Sequence, residues 1–305
     1  MIRGTRLLLL DEAQSVPGIG LKIKILHDTF PEVQIVASGS SSFDMVDMMS
    51  EPLTGRSRQY FLFPLSYQEI SDATSAADAY GEIDNLLRFG SYPEVYLGNE
   101  TEKKEELLNI ASNYLYKDVL TLGQLKRPDV IYEILKLLAF QIGHEVSLNE
   151  ISNKTGISVH TVRKYCDMLE KAFILFTLPS FSRNLRNEIS KSKKYYFIDL
   201  GIRNALINNF NPLGLRNDTG QLWENFCVME RIKKNHYARR FVNTYFWRTY
   251  EQKEIDYIED IDGKLYAFEF TWDDGKKKVP QTFLGAYPGS EYKKVTKRDF
   301  IGSFF

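Results

Sequence analysis

Four consecutive leucines, residues 7–10, run straight into Asp11-Glu12-Ala13-Gln14. The run is too short to cross a bilayer, which takes roughly 20 apolar residues. Unbroken rather than alternating apolar character reads as a strand buried on both faces, as in a parallel sheet covered by helices. Ligands of open α/β sheets sit outside the carboxyl ends of the strands, so a pair of carboxylates there carries two readings. One acid could hold a magnesium ion on a nucleotide's phosphates while the next polarises a water. Equally, a buried strand can simply run into an acidic turn.

The next segments of the chain narrow this choice. Residues 18–30 have the pattern of a short amphipathic helix, and 32–37 form a second short apolar strand. That strand runs into Ser38-Gly39-Ser40-Ser41-Ser42, a polar tip on the same sheet edge as Asp11. Then come Leu53-Thr54-Gly55-Arg56 and Phe61-Leu62-Phe63-Pro64-Leu65-Ser66-Tyr67-Gln68-Glu69. In this order the segments resemble a bacterial and archaeal group of AAA-type ATPases that carry a C-terminal domain of unknown function. Those proteins read LLLLDE-Q, GSSS, L-GR and F-L-PLSF-E. The resemblance implies ATP and magnesium as cofactors and ATP hydrolysis as the activity. Under it Asp11 would hold the magnesium ion and Glu12 would activate water. Ser38 or Ser40 would sense the γ-phosphate, and Arg56 would reach a neighbour's phosphate.

One departure stands against these matches. A phosphate-binding loop needs G-x-x-x-x-G-K-[ST] after a first strand, because its backbone N–H groups and lysine cradle the phosphates. That motif is absent from the 305 residues. Only six residues precede Leu7, whereas a strand-helix-strand unit takes about 30 or more. The first strand, its loop and its helix are therefore expected to be missing. A truncated relative and a start placed at an internal Met both account for this.

Chain length predicts about two or three domains. Hydrophobic content of 43% and aromatic content of 13% suffice for real cores. A net charge of -1 gives no global pull toward nucleic acid. Local basic runs, Arg183, Arg186, Lys191, Lys193 and Lys194, then Arg231, Lys233 and Lys234, read as solvated faces. Cys166 and Cys227 sit in helical patterns and read as buried thiols of a reducing compartment. The four scattered histidines make no zinc signature. Without a leader, spanning run or lipidation motif, the expected location is cytoplasmic, with no membrane partner.

Residues 71–81 are small and polar and read as a surface connection. Leu86-Leu87-Arg88-Phe89-Gly90-Ser91-Tyr92-Pro93-Glu94-Val95 resembles the same group's FGGYPEV segment, where a helix ends at glycine and proline. A helix over 102–120 has an apolar stripe of Leu107, Ile110, Ala111, Tyr114 and Leu115, and Tyr116-Lys117-Asp118-Val119 matches the group's Y-KD. Residues 129–178 read as a winged helix-turn-helix. Its helices cover 129–142, a second opened by the capping box Ser147-Leu148-Asn149-Glu150, and a third capped by Ser158. Val159, Val162, Cys166 and Leu169 would face the core, and His160, Thr161, Arg163, Lys164 and Asp167 would face out. Such third helices enter the DNA major groove in many proteins; a packing or partner-binding role is the alternative.

From about residue 181 a strand turning into a helix, Lys194-Tyr195-Tyr196-Phe197-Ile198-Asp199-Leu200-Gly201-Ile202-Arg203, carries the group's Y-F-DLG-R. A helix over 220–236, strands at 243–248, 254–259 and 264–272, a short helix at 280–286 and a strand at 292–296 complete the chain. That order resembles the PD-(D/E)xK nuclease core, in which carboxylates and a lysine gather metal ions. The matching positions are Glu224, Asp256 and Glu269, with Asp256 and Glu269 able to meet across adjacent strands. Thr271 stands where the group has lysine, and it cannot supply the positive charge that steadies a developing anion. Lys276, Lys277 and Lys278 come next in a loop, which orients a catalytic group poorly. The alternative is a scaffold whose carboxylates are solvated or paired with Arg248.

The expected fold class is a multidomain α/β chain. It has a partial P-loop-type parallel sheet at 1–70, a helical connector at 71–128, a winged helix at 129–180 and a restriction-endonuclease-like α/β domain at 181–305. The expected function is that of the C-terminal portion of an AAA-type ATPase that binds ATP poorly by itself. A non-enzymatic DNA- or protein-binding module and a metal-dependent nuclease are the rivals.

Overall fold

The computed structural model describes residues 4–39, 55–123, 128–182, 192–249, 251, 253–273 and 281–301. At the N-terminal end, β1 (Leu7–Leu10) and β2 (Gln34–Ala37) pair in parallel, joined by α1 (Ile19–Thr29). Parallel register puts Leu8, Leu10, Ile35 and Ala37 on one face, where Leu10, Ile35 and Ala37 pack against Ala13, Ile19 and Ile23. The other face carries Leu7, Leu9 and Val36. The leucine run is therefore not buried on both faces as its composition suggests: Leu7 is 50% and Leu9 66% exposed. Among the described residues one partner strand and one helix cover a single face.

Residues 71–81, expected as a surface connection, are largely helical and mostly exposed. α2 (Tyr67–Ala73) opens with a capping box in which Ser66 and Glu69 satisfy each other's backbone N–H. Ser75 caps α3 (Ala76–Gly81), whose Ala79 is fully buried. α4 (Ile83–Phe89) stops at Gly90, which has φ 70°, and Pro93 opens α5 (Pro93–Leu97). In α6 (Glu100–Gly123) Leu107 and Ala111 are buried and Ile110 packs beside them. The side chains of Tyr114, Leu115 and residues 116–119 lie outside those described.

The next stretch runs α7 (Pro128–Phe140), β3 (Glu145–Val146), α8 (Leu148–Thr155), α9 (Val159–Lys171), β4 (Leu175–Pro179) and β5 (Lys193–Phe197). Ser147 and Ser158 cap α8 and α9, and Gly156 takes the left-handed turn between them. Val162, Cys166 and Leu169 are buried, while His160, Arg163, Lys164 and Asp167 are exposed and Thr161 is half-buried. The three strands form an antiparallel sheet in the order β3-β5-β4. β5 thus pairs backward along the chain, across the boundary expected at residue 181.

After α10 (Leu200–Leu206), α11 (Thr219–Tyr237) packs against a sheet of order β6-β7-β8-β9. Its strands are Asn243–Arg248, Glu254–Ile261, Lys264–Thr271 and Glu291–Thr296. The first three are antiparallel; β9 runs parallel to β8 after α12 (Gln281–Ala286). One core extends from Tyr67 to Phe300, with the fully buried Trp223 ring against Phe226, Trp272 and Phe300 at 5.2–5.7 Å. A second core, including Trp247, Ile255, Ile258, Leu265 and Phe283, forms at α12. The basic runs are not wholly solvated: Lys194 is 0% exposed, and Arg231 and Lys233 are buried. Cys166 and Cys227 are buried free thiols.

Candidate functional site

Two strand ends meet at Asp11. Ser38 N–H donates to the Leu10 carbonyl at 2.8 Å, and Ala13 N–H donates to the Ser38 carbonyl at 2.9 Å. These bonds bring the Ser38 hydroxyl onto Asp11 Oδ1, to which it donates. Both residues are exposed, so the carboxylate keeps access to a ligand. Glu12 adopts left-handed backbone, φ 49°, and its carboxylate accepts from Gln14 Nε2 at 2.6 Å. Arg56 is not at this cluster. Its guanidinium lies 3.8 Å from Asp28 in the last turn of α1, roughly 14 Å along the helix from Ile19 at 1.5 Å per residue. Ser40 lies outside the described residues.

The second cluster surrounds Lys194. Glu224 Oε1, on α11, accepts from Lys194 Nζ at 3.0 Å and from the Tyr196 hydroxyl at 2.6 Å. Strand alternation puts Lys194 and Tyr196 on one face of β5. The same ammonium pairs with Glu254 at the start of β7. Glu254 lies 3.8 Å from Arg248 Nε, and Arg248 Nη1 donates to Glu145 Oε2 at 2.8 Å. Burial alone would push the Lys194 amine down. Glu224 first, then Asp256 and Glu254, outweigh it and hold the amine above its ordinary range. Burial pushes the Tyr196 hydroxyl well up, and Glu224 adds to this.

Asp256 Oδ2 accepts from Phe270 N–H at 2.8 Å. The β7–β8 register, Tyr257 opposite Phe268, extends by one residue to set Asp256 opposite Glu269. Thr271 Oγ1 donates to the Asp273 carbonyl at 3.0 Å. Among the described residues no three His, Cys, Asp or Glu side chains converge as a metal site. Glu224 and Asp256 instead share the field of one ammonium, and Lys276, Lys277 and Lys278 lie outside the described residues. Sequence reasoning missed Lys194, Tyr196 and Glu254. The one local signal was the i, i+2 spacing of Lys194 and Tyr196 in β5, and nothing local marked Glu254.

The segments that carried the family resemblance gather elsewhere, in a buried polar joint. Asp199 caps α10 through the N–H groups of Gly201 (2.8 Å) and Ile202 (3.2 Å), and also accepts from Ser91 N–H at 2.7 Å. A Cβ on Gly90 would fall 2.0 Å from the Asp199 carboxylate, and one on Gly201 would fall 2.2 Å from the Phe89 carbonyl. Lys233 Nζ donates to Glu230 at 2.8 Å and to the Leu65 carbonyl at 3.0 Å, while Glu230 also accepts from Tyr67 N–H at 2.7 Å. Burial raises the Asp199 carboxyl above its usual range, against the pull of Ser91 N–H and Lys233. A cavity of about 20 Å³ beside these groups has room for about one water. A neighbouring cluster joins Arg203 and Arg216 to Asp218, whose carboxyl they hold down at about 2 despite its burial.

Comparison with known proteins divides the chain in three. Residues 1–71 match a family described as an AAA domain. Residues 80–213 match Domain of unknown function (DUF8612), and residues 219–300 match Domain of unknown function (DUF4143). Similar relatives are uncharacterised proteins. One from Haemophilus influenzae is 26% identical over 274 residues, covering 86% of this chain and 65% of the relative. One from Mycobacterium tuberculosis is 27% identical over 268 residues (86% and 58%), and one from Methanocaldococcus jannaschii 24% over 274 residues (84% and 59%). The chain thus spans about three fifths of the length of these relatives. No solved structure matches. The N-terminal AAA segment and the C-terminal domain of unknown function agree with the expected resemblance. Among the described residues no helix is long and apolar enough to cross a membrane.

Proposed function

We propose that this chain is the C-terminal portion of an AAA-type ATP-binding protein and contributes one half of a nucleotide site. The observation that carries this reading is the Asp11–Ser38 contact at the carboxyl ends of two parallel strands, inside the segment that matches an AAA domain. The donors there are carboxylate and hydroxyl oxygens, the set that suits magnesium on phosphates. Asp11 would hold the ion, and Ser38 would read the terminal phosphate. Glu12 would orient water once it turned from Gln14. Arg56 would act only after leaving Asp28, and Ser40 would join Ser38. When bound, magnesium would supply charge neutralisation on the phosphates. The exposed apolar row Leu7, Leu9 and Val36 fits a sheet face that a larger ATPase core would cover.

With no phosphate-loop motif in these residues, binding by the chain alone is expected to be weak. Amide resonances followed during titration with Mg-ATP test this. Shifts confined to Asp11, Glu12, Ser38 and their neighbours, with Kd near ~1 mM, are expected, and Asp11→Ala should erase them. An unchanged spectrum at saturating nucleotide, or shifts that survive Asp11→Ala, would refute the reading.

For the rest of the chain, the order helix, strand, two helices and two strands, with sheet order β3-β5-β4, supports a winged helix extending to residue 197. Helix α11 followed by β6-β7-β8, α12 and a parallel β9 supports a nuclease-like scaffold. We read that scaffold as inert. Lys194 already pairs with both Glu224 and Glu254, and the hydroxyl of Thr271 is spent on Asp273. Supercoiled DNA incubated with the protein and magnesium or manganese should stay intact. Cleavage that Asp256→Ala removes would make the nuclease reading the correct one.

A further inference from the structure

The extended segment before α2 lies against the C-terminal end of α11. The rings of Phe61 and Phe63 pack on His236 at 5.3 and 5.4 Å, and Phe61 also meets Phe173 at 5.0 Å. Phe63 N–H donates to the Tyr237 hydroxyl at 3.2 Å. Arg58, Tyr60 and Leu62, before and between these rings, are exposed. Tyr60 is 65% and Leu62 92% exposed. α11 ends at Tyr237, and Arg239 turns back through left-handed backbone, φ 52°. Its guanidinium sits 5.6 Å from the Tyr60 ring and donates to the Tyr60 hydroxyl at 3.3 Å. Arg240 comes next, then Phe241, 98% exposed.

Positive charge accumulates here although the whole chain carries -1. Burial first, then the fields of Arg231, Arg240 and Lys293, lower the Lys234 amine. Three of the acids near this end are already engaged, while Asp260, opposite Asn243, accepts from Gly263 N–H at 3.0 Å and Asp262 beyond it is exposed. Glu259 is held by Arg231 and Asn235, Glu230 by Lys233, and Glu69 by the Ser66 cap. Among the described residues no carboxylate forms an ion pair with Arg58, Arg239 or Arg240. Exposed rings interleaved with uncompensated arginines combine stacking faces with phosphate contacts, the chemistry of sequence-tolerant single-strand binding.

We propose that Arg58, Tyr60, Arg239, Arg240 and Phe241 form a binding surface for single-stranded nucleic acid, with bases on Tyr60 and Phe241 and phosphates on the arginines. It uses none of the exposed α9 residues and none of the residues at the Asp11 site. Stacking gives preference for single strands over duplex, and the arginines give salt dependence. About three neutralised phosphates on a single strand, at about 0.7 each in the salt slope, weaken binding about 20-fold between 50 and 200 mM salt.

Fluorescence anisotropy of a labelled oligothymidine and of a duplex, titrated with the full chain, tests this. Saturable micromolar binding of the single strand at 50 mM salt is expected. Tyr60→Ser with Phe241→Ser should weaken it at least about tenfold with the salt slope kept. Arg239→Gln with Arg240→Gln should lower the slope by about 1.4. Phe241→Ser alone, at an exposed position, serves if the double variant misfolds, with an expected loss of about fivefold. No binding below ~100 μM, equal binding of duplex and single strand, or unchanged binding by the variants would overturn the proposal. So would binding to phosphatidylserine vesicles that the oligonucleotide does not displace.

Discussion

Replacing Lys194 by Met keeps the buried stem and removes the charge. The amine that Glu224 accepts at 3.0 Å disappears, as does the pairing with Glu254. Glu224 is left with the Tyr196 hydroxyl at 2.6 Å, and Glu254 with Arg248 at 3.8 Å. Stranding a buried charge costs about 3–5 kcal/mol. Because Glu254 retains solvent and Arg248, the lower end, about 3 kcal/mol, is expected. Lys194→Met with Glu224→Gln should recover about 1–2 kcal/mol, since the glutamine can still accept from Tyr196 and carries no stranded charge. Urea unfolding followed by tryptophan fluorescence is the assay, since of the chain's three tryptophans Trp223 adjoins Glu224 and Trp247 adjoins Arg248. The amine is held above its ordinary value. Its contribution is therefore fully present below about pH 10 and lost only as pH rises through the folded value. The gap between variant and wild type should stay flat from roughly pH 7 to 9. A loss under about 1 kcal/mol, or a double variant worse than the sum of its parts, would refute a stabilising role for the ammonium.

Other expectations concern the joint, the acid limb and the N-terminal sheet. Gly201→Ala drives a Cβ to 2.2 Å from the Phe89 carbonyl and 2.6 Å from Leu107, so α4 and α10 must separate and the urea midpoint should fall by the equivalent of about 2–4 kcal/mol. Asp218 is held down at about 2, so its contribution of about 1–2 kcal/mol is present above pH 4 and lost as pH falls from about 4 to 2. Asp218→Asn should differ from wild type at pH 6 and converge with it near pH 2 in thermal melts. Backbone amides of β1 and β2, in a two-stranded sheet with one uncovered face, should exchange faster than those of β7 and β8; equal protection would show that the N-terminal sheet is more stable than its packing indicates.

Local information determined much of this protein. The capping serines Ser147 and Ser158, the break at Gly90 and the apolar spacing of α9 are short-range signals, and the structure puts elements where they point. Adjacency along the chain likewise placed Asp11 at a strand end, and two short parallel strands then sufficed to bring Ser38 to it. Tertiary structure alone decided the rest. A lysine reads as solvated until three carboxylates from two other elements surround it, so Lys194 could not be recognised from β5. The burial of Leu7–Leu10 depended on how many layers cover the sheet, which no run of leucines states. Nor could the chain order show that Gly90, Ser91, Asp199, Gly201 and Lys233, separated by up to 143 positions, occupy one joint. Their close approach is set by packing, where a missing Cβ matters only because a particular carboxylate or carbonyl lies about 2 Å away.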